Sequence, residues 1–383
     1  MEYWLISVPQ QKKSQVFETI YDKLVRQNNL CEIYKYSVPQ DFKVGTLDVL
    51  VSLSDELAKL DIFSESVTRK IVQYMGEILE EQKSRLTDHL KINEDSLENF
   101  VTKYVWDAAK FPTRQSLEQI FSNLSDHMSK VENGLKMKTQ SYNQLKGSLQ
   151  TLERKQIGSL LTRNIGELVK KEHFVSDSEY FVTLIVVVAK SYYNLWRAKY
   201  ETLTKYVVPR SSELICEDNE HGLWNVTLFR SISSDFIAKA KENRFFVRDF
   251  TYNENEIQES RNEISRLEND KKKQFQATFR WLKVNFGESF IGLMHIKSLR
   301  IFVESVLRYG LPVNFQSIII HPSKKNHKKI REILGQAFSY LENTAMIQTN
   351  ENEEFPGLNL LAAGEYYPYV YYKLDTNFVD VLR

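Results

Sequence analysis

The chain has 383 residues, 42% hydrophobic and 26% charged, and 51 basic residues against 50 acidic leave a net charge of +1. That length exceeds what one compact core usually organises, so two domains are expected, and the charge balance argues against a chain-wide footprint for nucleic acid or an anionic membrane. Two cysteines, Cys31 and Cys216, lie far apart with no second thiol beside either; both read as reduced, buried, small hydrophobes in a reducing compartment.

The opening Met1-Glu2-Tyr3-Trp4 carries an acid where a signal peptide needs positive charge, and its apolar run stops at Pro9. The segment Glu2 to Pro9 is β-rich and reads as a strand, Gln11 to Asn28 as a helix, and Cys31 to Val38, which alternates up to Pro39, as a second strand. With Thr46 as cap, Leu50, Leu53, Leu57, Leu60, Val67, Ile71, Tyr74 and Ile78 then lay one apolar stripe along a long helix. Asp95 followed by Glu98 marks another helix start, closed by Pro112.

No proline occurs between Pro112 and Pro209. Leu124, Met128, Val131, Leu135, Lys138, Tyr142, Leu145, Leu149 and Leu152 alternate in steps of four and three, a heptad seam interrupted by one charge. A single helix from Ile120 to Gln156 would run about 55 Å, longer than a globular domain needs, so it reads as a spacer. A weaker matching segment spans Ile257 to Leu282. Between the two the period changes. Strands are expected at Tyr180 to Ala189, Val207 to Cys216, Gly222 to Phe229 and Phe245 to Phe250, with helices at Ser191 to Lys205 and Ser231 to Glu242. That order is a β-α-β-β-α-β module. The run Phe181 to Ala189, the longest apolar one, falls short of the roughly 20 residues of a membrane span.

Trp281 to Tyr309 is apolar almost all round and predicts a buried helix. Phe315 to Ile320 reads as a strand, Ile330 to Leu341 as a helical stripe, and Tyr369 to Leu374 as a final strand. Strands at both chain ends are too few to be stable in separate pairs. The expected fold class is therefore α+β, predominantly helical: an elongated dumbbell with a discontinuous α+β foot (1–119 and 281–383), an antiparallel coiled-coil-like neck (120–165 and 253–280) and an inserted head (166–252).

The chemistry is sparse. There is no phosphate-cradling glycine loop, no C-x-x-C, no H-E-x-x-H and no cluster at metal-ligand spacing, and 13 glycines are few for cofactor-gripping loops. No catalytic, metal-binding or cofactor-binding residue is assigned, and no cofactor is expected. His295, between Met294 and Ile296, reads as a hydrogen-bonded core histidine rather than a catalytic group. Arg244 to Phe250 superficially echoes an RNA-stacking motif, but it lacks the glycines and lies on the wrong strand, so Phe246 and Phe250 are read as core and no nucleic acid is expected. The run Tyr366 to Tyr372 reads as aromatics covering a domain floor, with a partner-docking face as the alternative. Two sequons, at Asn123 and Asn225, read as chance matches in a cytosolic chain. Lys324, Lys325, Lys328 and Lys329 open a helix capped by Ser323, where cations oppose the helix dipole. They are either a solvated face or a contact for an acidic protein surface or lipid headgroups.

Several blocks carry a family resemblance: Lys43 to Asp61 (KVGTLDVLVSLSDELAKLD), Gly158 to Lys171 (GSLLTRNIGELVKK), Asp177 to Val188 (DSEYFVTLIVVV), Trp281 to Gln316 (ending IFVESVLRYGLPVNFQ) and Glu365 to Asp375 (EYYPYVYYKLD). With them the chain resembles the C subunit of the vacuolar-type proton-pumping ATPase (V-ATPase). The resemblance implies a foot, neck and head. It also implies a non-catalytic stator role, linking peripheral-stalk heterodimers of the E and G subunits to the cytosolic part of the a subunit in the membrane. Such a stator protein couples ATP hydrolysis to proton transport, leaves on reversible disassembly, and lies on the cytosolic face of endomembranes or plasma membrane, touching membrane only through the complex. A free-standing cytoskeletal or trafficking adaptor is the alternative, and an enzyme would need a pocket with convergent polar groups.

Overall fold

The computed structural model describes residues 1–10, 16–79, 86–175, 178–341 and 367–378. In chain order its elements are β1 (Glu2–Pro9), α1 (Val16–Tyr21), β2 (Cys31–Tyr36), α2 (Leu47–Leu79), α3 (Leu86–His89), β3 (Lys91–Ile92), β4 (Asp95–Ser96), α4 (Leu97–Thr102) and α5 (Leu117–Ile157). There follow β5 (Phe181–Ala189), α6 (Tyr193–Lys199), β6 (Leu214–Glu217), β7 (His221–Phe229), α7 (Ser233–Glu242), β8 (Phe246–Arg248), α8 (Glu254–Tyr309), β9 (Phe315–Pro322), α9 (His327–Phe338) and β10 (Val370–Asp375). Helix dominates: α2, α5 and α8 alone hold 33, 41 and 56 residues. Two compact units form, Met1–Thr139 with Gln276–Arg383, and Gln140–Phe275. Both α5 and α8 run across the boundary.

In the first unit the sheet order is β10-β1-β9-β2, antiparallel throughout. Strand β1 therefore lies between one strand from near residue 318 and another from near residue 372, and both chain ends share one sheet. Trp4 to Val8 and Ile318 to Ile320 are buried on both faces, which is why these strands read as continuous apolar runs. One face packs Trp4, Ile6, Ile318 and Ile320 against Ile20 and Leu24 and against Ile330, Leu334 and Phe338 of α9. The other face meets α8, where Ser305 Oγ donates to Ser7 Oγ at 2.8 Å and Tyr309 Oη to Ser7 O at 2.7 Å. Helix α8 is buried on all sides from Phe286 to Val306, as its lack of a polar face requires.

The second unit repeats the topology. Its sheet runs β6-β7-β5-β8, antiparallel. Numbered within each module, both sheets read 4-1-3-2, and each module runs β-α-β-β-α-β. The first module is split between its second and third strands, and the second module lies within that insertion. The strand-to-helix junctions agree as well. After β5, β7 and β9 the last extended residues have φ/ψ of −69/143, −69/133 and −68/132, a single 3₁₀ turn follows, and the helix caps have φ of −105, −106 and −107. One face of the second sheet packs Val186, Val188 and Val226 under Trp196, Phe236 and Phe245. The other packs Ile185, Val187 and Leu223 under Leu160, Ile165 and Val169. Arg248 holds that cover in place, donating to the carbonyls of Leu160 at 3.1 Å, Arg163 at 2.9 Å and Leu161.

The long seam on α5 is real: Leu124, Met128, Val131, Leu135, Tyr142 and Leu149 are all buried. Within the first unit α5 and α8 pack closely. A Cβ on Gly134 would stand 2.6 Å from Trp281 Cζ2, and one on Gly292 2.9 Å from Met128 Sδ. Glycine there is what allows the helices their approach.

Four expectations need correction. The segments Ile257 to Leu282 and Trp281 to Tyr309 are one helix, α8, because no proline or glycine pair interrupts them. The helix expected from Asp95 to Pro112 ends at Thr102, and its cap is Ser96, whose side chain accepts from Asn99 N at 3.2 Å. Val207 to Cys216 is not one strand: Val207 makes an isolated bridge to Leu228, Arg210 turns left-handed at φ 56 beside Pro209, and pairing resumes only at Leu214. The helix expected at Ser191 to Lys205 is confined to Tyr193–Lys199.

Candidate functional site

The four lysines sit where β9 passes into α9. Lys324 and Lys325 lie on the 3₁₀ turn Lys324–Asn326, and Lys328 and Lys329 on the first turn of α9. Ser323 N and Asn326 Nδ2 both donate to Leu30 O, at 3.4 and 3.3 Å, and Asn326 N donates to Ser323 O at 2.8 Å, so the turn is tied to the base of β2. The expected Ser323 side-chain cap is absent. Its main chain occupies the cap position of the 3₁₀ turn, and α9 itself begins at His327 after Asn326, neither residue making a side-chain cap bond. The helix is oriented by Ile330, Leu334 and Phe338, which are buried, leaving Lys328 and Lys329 on either side of the solvent face. All four lysines are exposed, and among the described residues none forms an ion pair. Cations at an N-terminus cost about 0.3–1 kcal/mol each when exposed, so the helix itself does not reward them.

Behind this turn lies the aromatic run. Tyr369 is core, Tyr371 meets Trp4 edge-on at 5.7 Å, and the Arg331 guanidinium lies 5.3 Å over Trp4 and 5.2 Å over Tyr367. Burial pushes the Tyr372 phenol up to about 12, against the Arg300 charge stacked 4.2 Å over its ring. These tyrosines floor the first sheet. Tyr366 lies outside the described residues.

His295 is a core histidine, 1% exposed. Its Nε2 accepts from Asp107 N at 3.1 Å, so Nδ1 carries the proton and donates to Ile291 O at 2.7 Å. Burial holds its pKa down to about 4, opposed by the Ile291 bond. A ring with both nitrogens committed to main chain is fixed as neutral and is not free to move protons.

Phe246 and Phe250 were expected in the core. Phe250 does pack there, 5.9 Å from Phe174. Phe246 is 52% exposed, and the neighbouring Phe245 is the buried ring. Strand alternation on the short β8 decides this. Phe245 and Val247 face the helices, and Phe246 falls on the opposite side at a sheet edge. The sheet face that would have to stack bases is occupied by Leu160, Ile165 and Val169. Both cysteines are free; Cys31 is buried as expected, whereas Cys216 is only half-buried, and burial raises both thiols, that of Cys31 to about 12.

One cluster was not anticipated. Asp61 on α2 accepts from Lys297 Nζ at 2.9 Å and from Arg300 on α8, and the side chains of Asp61 and Lys297 are each 5% exposed. Its other oxygen, Oδ1, has no protein partner. The signal was a charge at an inward position: Asp61 follows the Leu50–Leu57–Leu60 stripe, and Lys297 stands in a helix apolar all round. Among the described residues no helix is long and apolar enough to cross a membrane and no metal-holding group of three His, Cys, Asp or Glu occurs.

Fold and surfaces together define a helix-rich α+β protein of two nested β-α-β-β-α-β modules, with charge stabilised inside and, among the described residues, four exposed lysines outside that form no ion pair. The family model for the V-ATPase C subunit matches residues 3–370, and the chain belongs to that family. It is 52% identical over 381 residues to the C 1-A subunit of the V-type proton ATPase of Danio rerio, covering 99% of each chain. It is 51% identical over 380 residues to the C 1 subunit of the V-type proton ATPase of Bos taurus, again over 99% of both. A solved structure of the cytoplasmic N-terminal domain of the V-ATPase I subunit, a homolog of the a subunit, overlaps 88% of this chain and 98% of that one at 12% identity; its TM-score of 0.27 carries no argument.

Proposed function

We propose that this chain is a non-catalytic stator component of a vacuolar-type proton pump. It bridges peripheral-stalk heterodimers of the E and G subunits to the cytosolic part of the a subunit in the membrane, and it is needed for assembly, for coupling ATP hydrolysis to proton transport and for reversible disassembly. It is held at the cytosolic face of the membrane through that complex. The observation that carries this reading is the family match, continuous from residue 3 to 370 and sustained at about half identity over 99% of both chains. In this role residues 1–119 and 281–383 act as a foot, 120–165 and 253–280 as an antiparallel neck, and 166–252 as a head that holds the stalk. Lys324, Lys325, Lys328 and Lys329 are a contact of the foot for an acidic protein surface, a reading supported by their exposure and by the lack of ion pairs to them among the described residues.

The test is reconstitution. Pump sectors lacking this chain should hydrolyse ATP without acidifying vesicles, and adding the chain should restore acidification. Normal coupled pumping without it would overturn the proposal. Purified alone, the chain should turn over no nucleotide. ATP hydrolysis abolished by a point substitution in this chain would make it an enzyme.

A further inference from the structure

We draw no further inference here: the strongest candidate, the exposed aromatic patch of Tyr180, Tyr206 and Phe229 at the end of the second sheet where β5 begins and β7 ends, carries none, because nothing in the structure shows what covers it.

Discussion

At the scale of single residues, burial decides which charges exist. His295 has a folded-state pKa of about 4 against 6.5 for the free side chain. The unfolded chain therefore binds the extra proton first as pH falls. The stability this ring contributes is complete above pH 6.5 and is lost progressively as pH drops towards 4, ~3 kcal/mol over that window. Urea denaturation at pH 7 and pH 5 should show wild type losing stability on acidification, and His295→Gln losing distinctly less. Equal losses would show that other groups carry the acid sensitivity. Asp61 is the second case. Asp61→Ala leaves the buried Lys297 and the largely buried Arg300 without their carboxylate, so it should cost about 3–5 kcal/mol, the range for breaking a buried pair from one side. Lys297→Met should cost less, since Arg300 still satisfies Asp61. A larger loss for Lys297→Met, by the same denaturation measurement, would contradict this account.

At the scale of elements, α9 and α5 were legible to different depths. The apolar stripe of α9 was visible as a period, but its start was not. The 3₁₀ turn and the unused Ser323 hydroxyl depend on Leu30, nearly 300 residues away, accepting from Ser323 and Asn326. Changing Lys324, Lys325, Lys328 and Lys329 together to Gln removes charge that opposes the helix dipole, so the thermal midpoint should hold or rise. Attachment to the pump should weaken, mainly at low salt where screening is least. Unchanged assembly at low salt, measured by co-sedimentation with membranes, would return the lysines to a solvated role. On α5, Leu135→Pro with Leu145→Pro should disrupt the helix, at about 3 kcal/mol or more for each proline. If α5, in the proposed neck, acts as a rigid spacer, the double variant should still bind E–G heterodimer and yet fail to couple hydrolysis to proton pumping in vesicles. Normal pumping would remove rigidity from the explanation.

At the scale of the whole molecule, sheet order makes its own prediction. Strand β1 is hydrogen-bonded to β10 on one side and β9 on the other, so the N-terminal and C-terminal segments cannot part without dismantling a sheet buried on both faces. Limited proteolysis that cuts α5 and α8 should release a middle fragment near residues 165–255, while the end fragments co-elute on gel filtration without denaturant. Separation of those ends would mean the shared sheet does not hold them. The nested topology explains why the middle fragment should survive. It has its own four-stranded sheet and apolar packing on both faces, independent of the first module.

What the amino-acid order determined by itself is what depends on local period. The seam on α5, the all-apolar body of α8, the β-α-β-β-α-β order of the middle module and the aromatic floor at Tyr369 and Tyr371 are written as repeats of 3.5, 3.6 or 2 residues, and neighbouring residues suffice to fix them. Tertiary structure alone decided what depends on residues distant in sequence. Asp61 finds Lys297 across 236 residues, Ser7 finds Tyr309 across 302, and Tyr206 is held left-handed by β7. The common 4-1-3-2 order of the two sheets likewise appears only after pairing, because strand partners are chosen by apolar faces and hydrogen-bond edges that meet in space. A period identifies which face is buried, and only the fold decides which segment covers it.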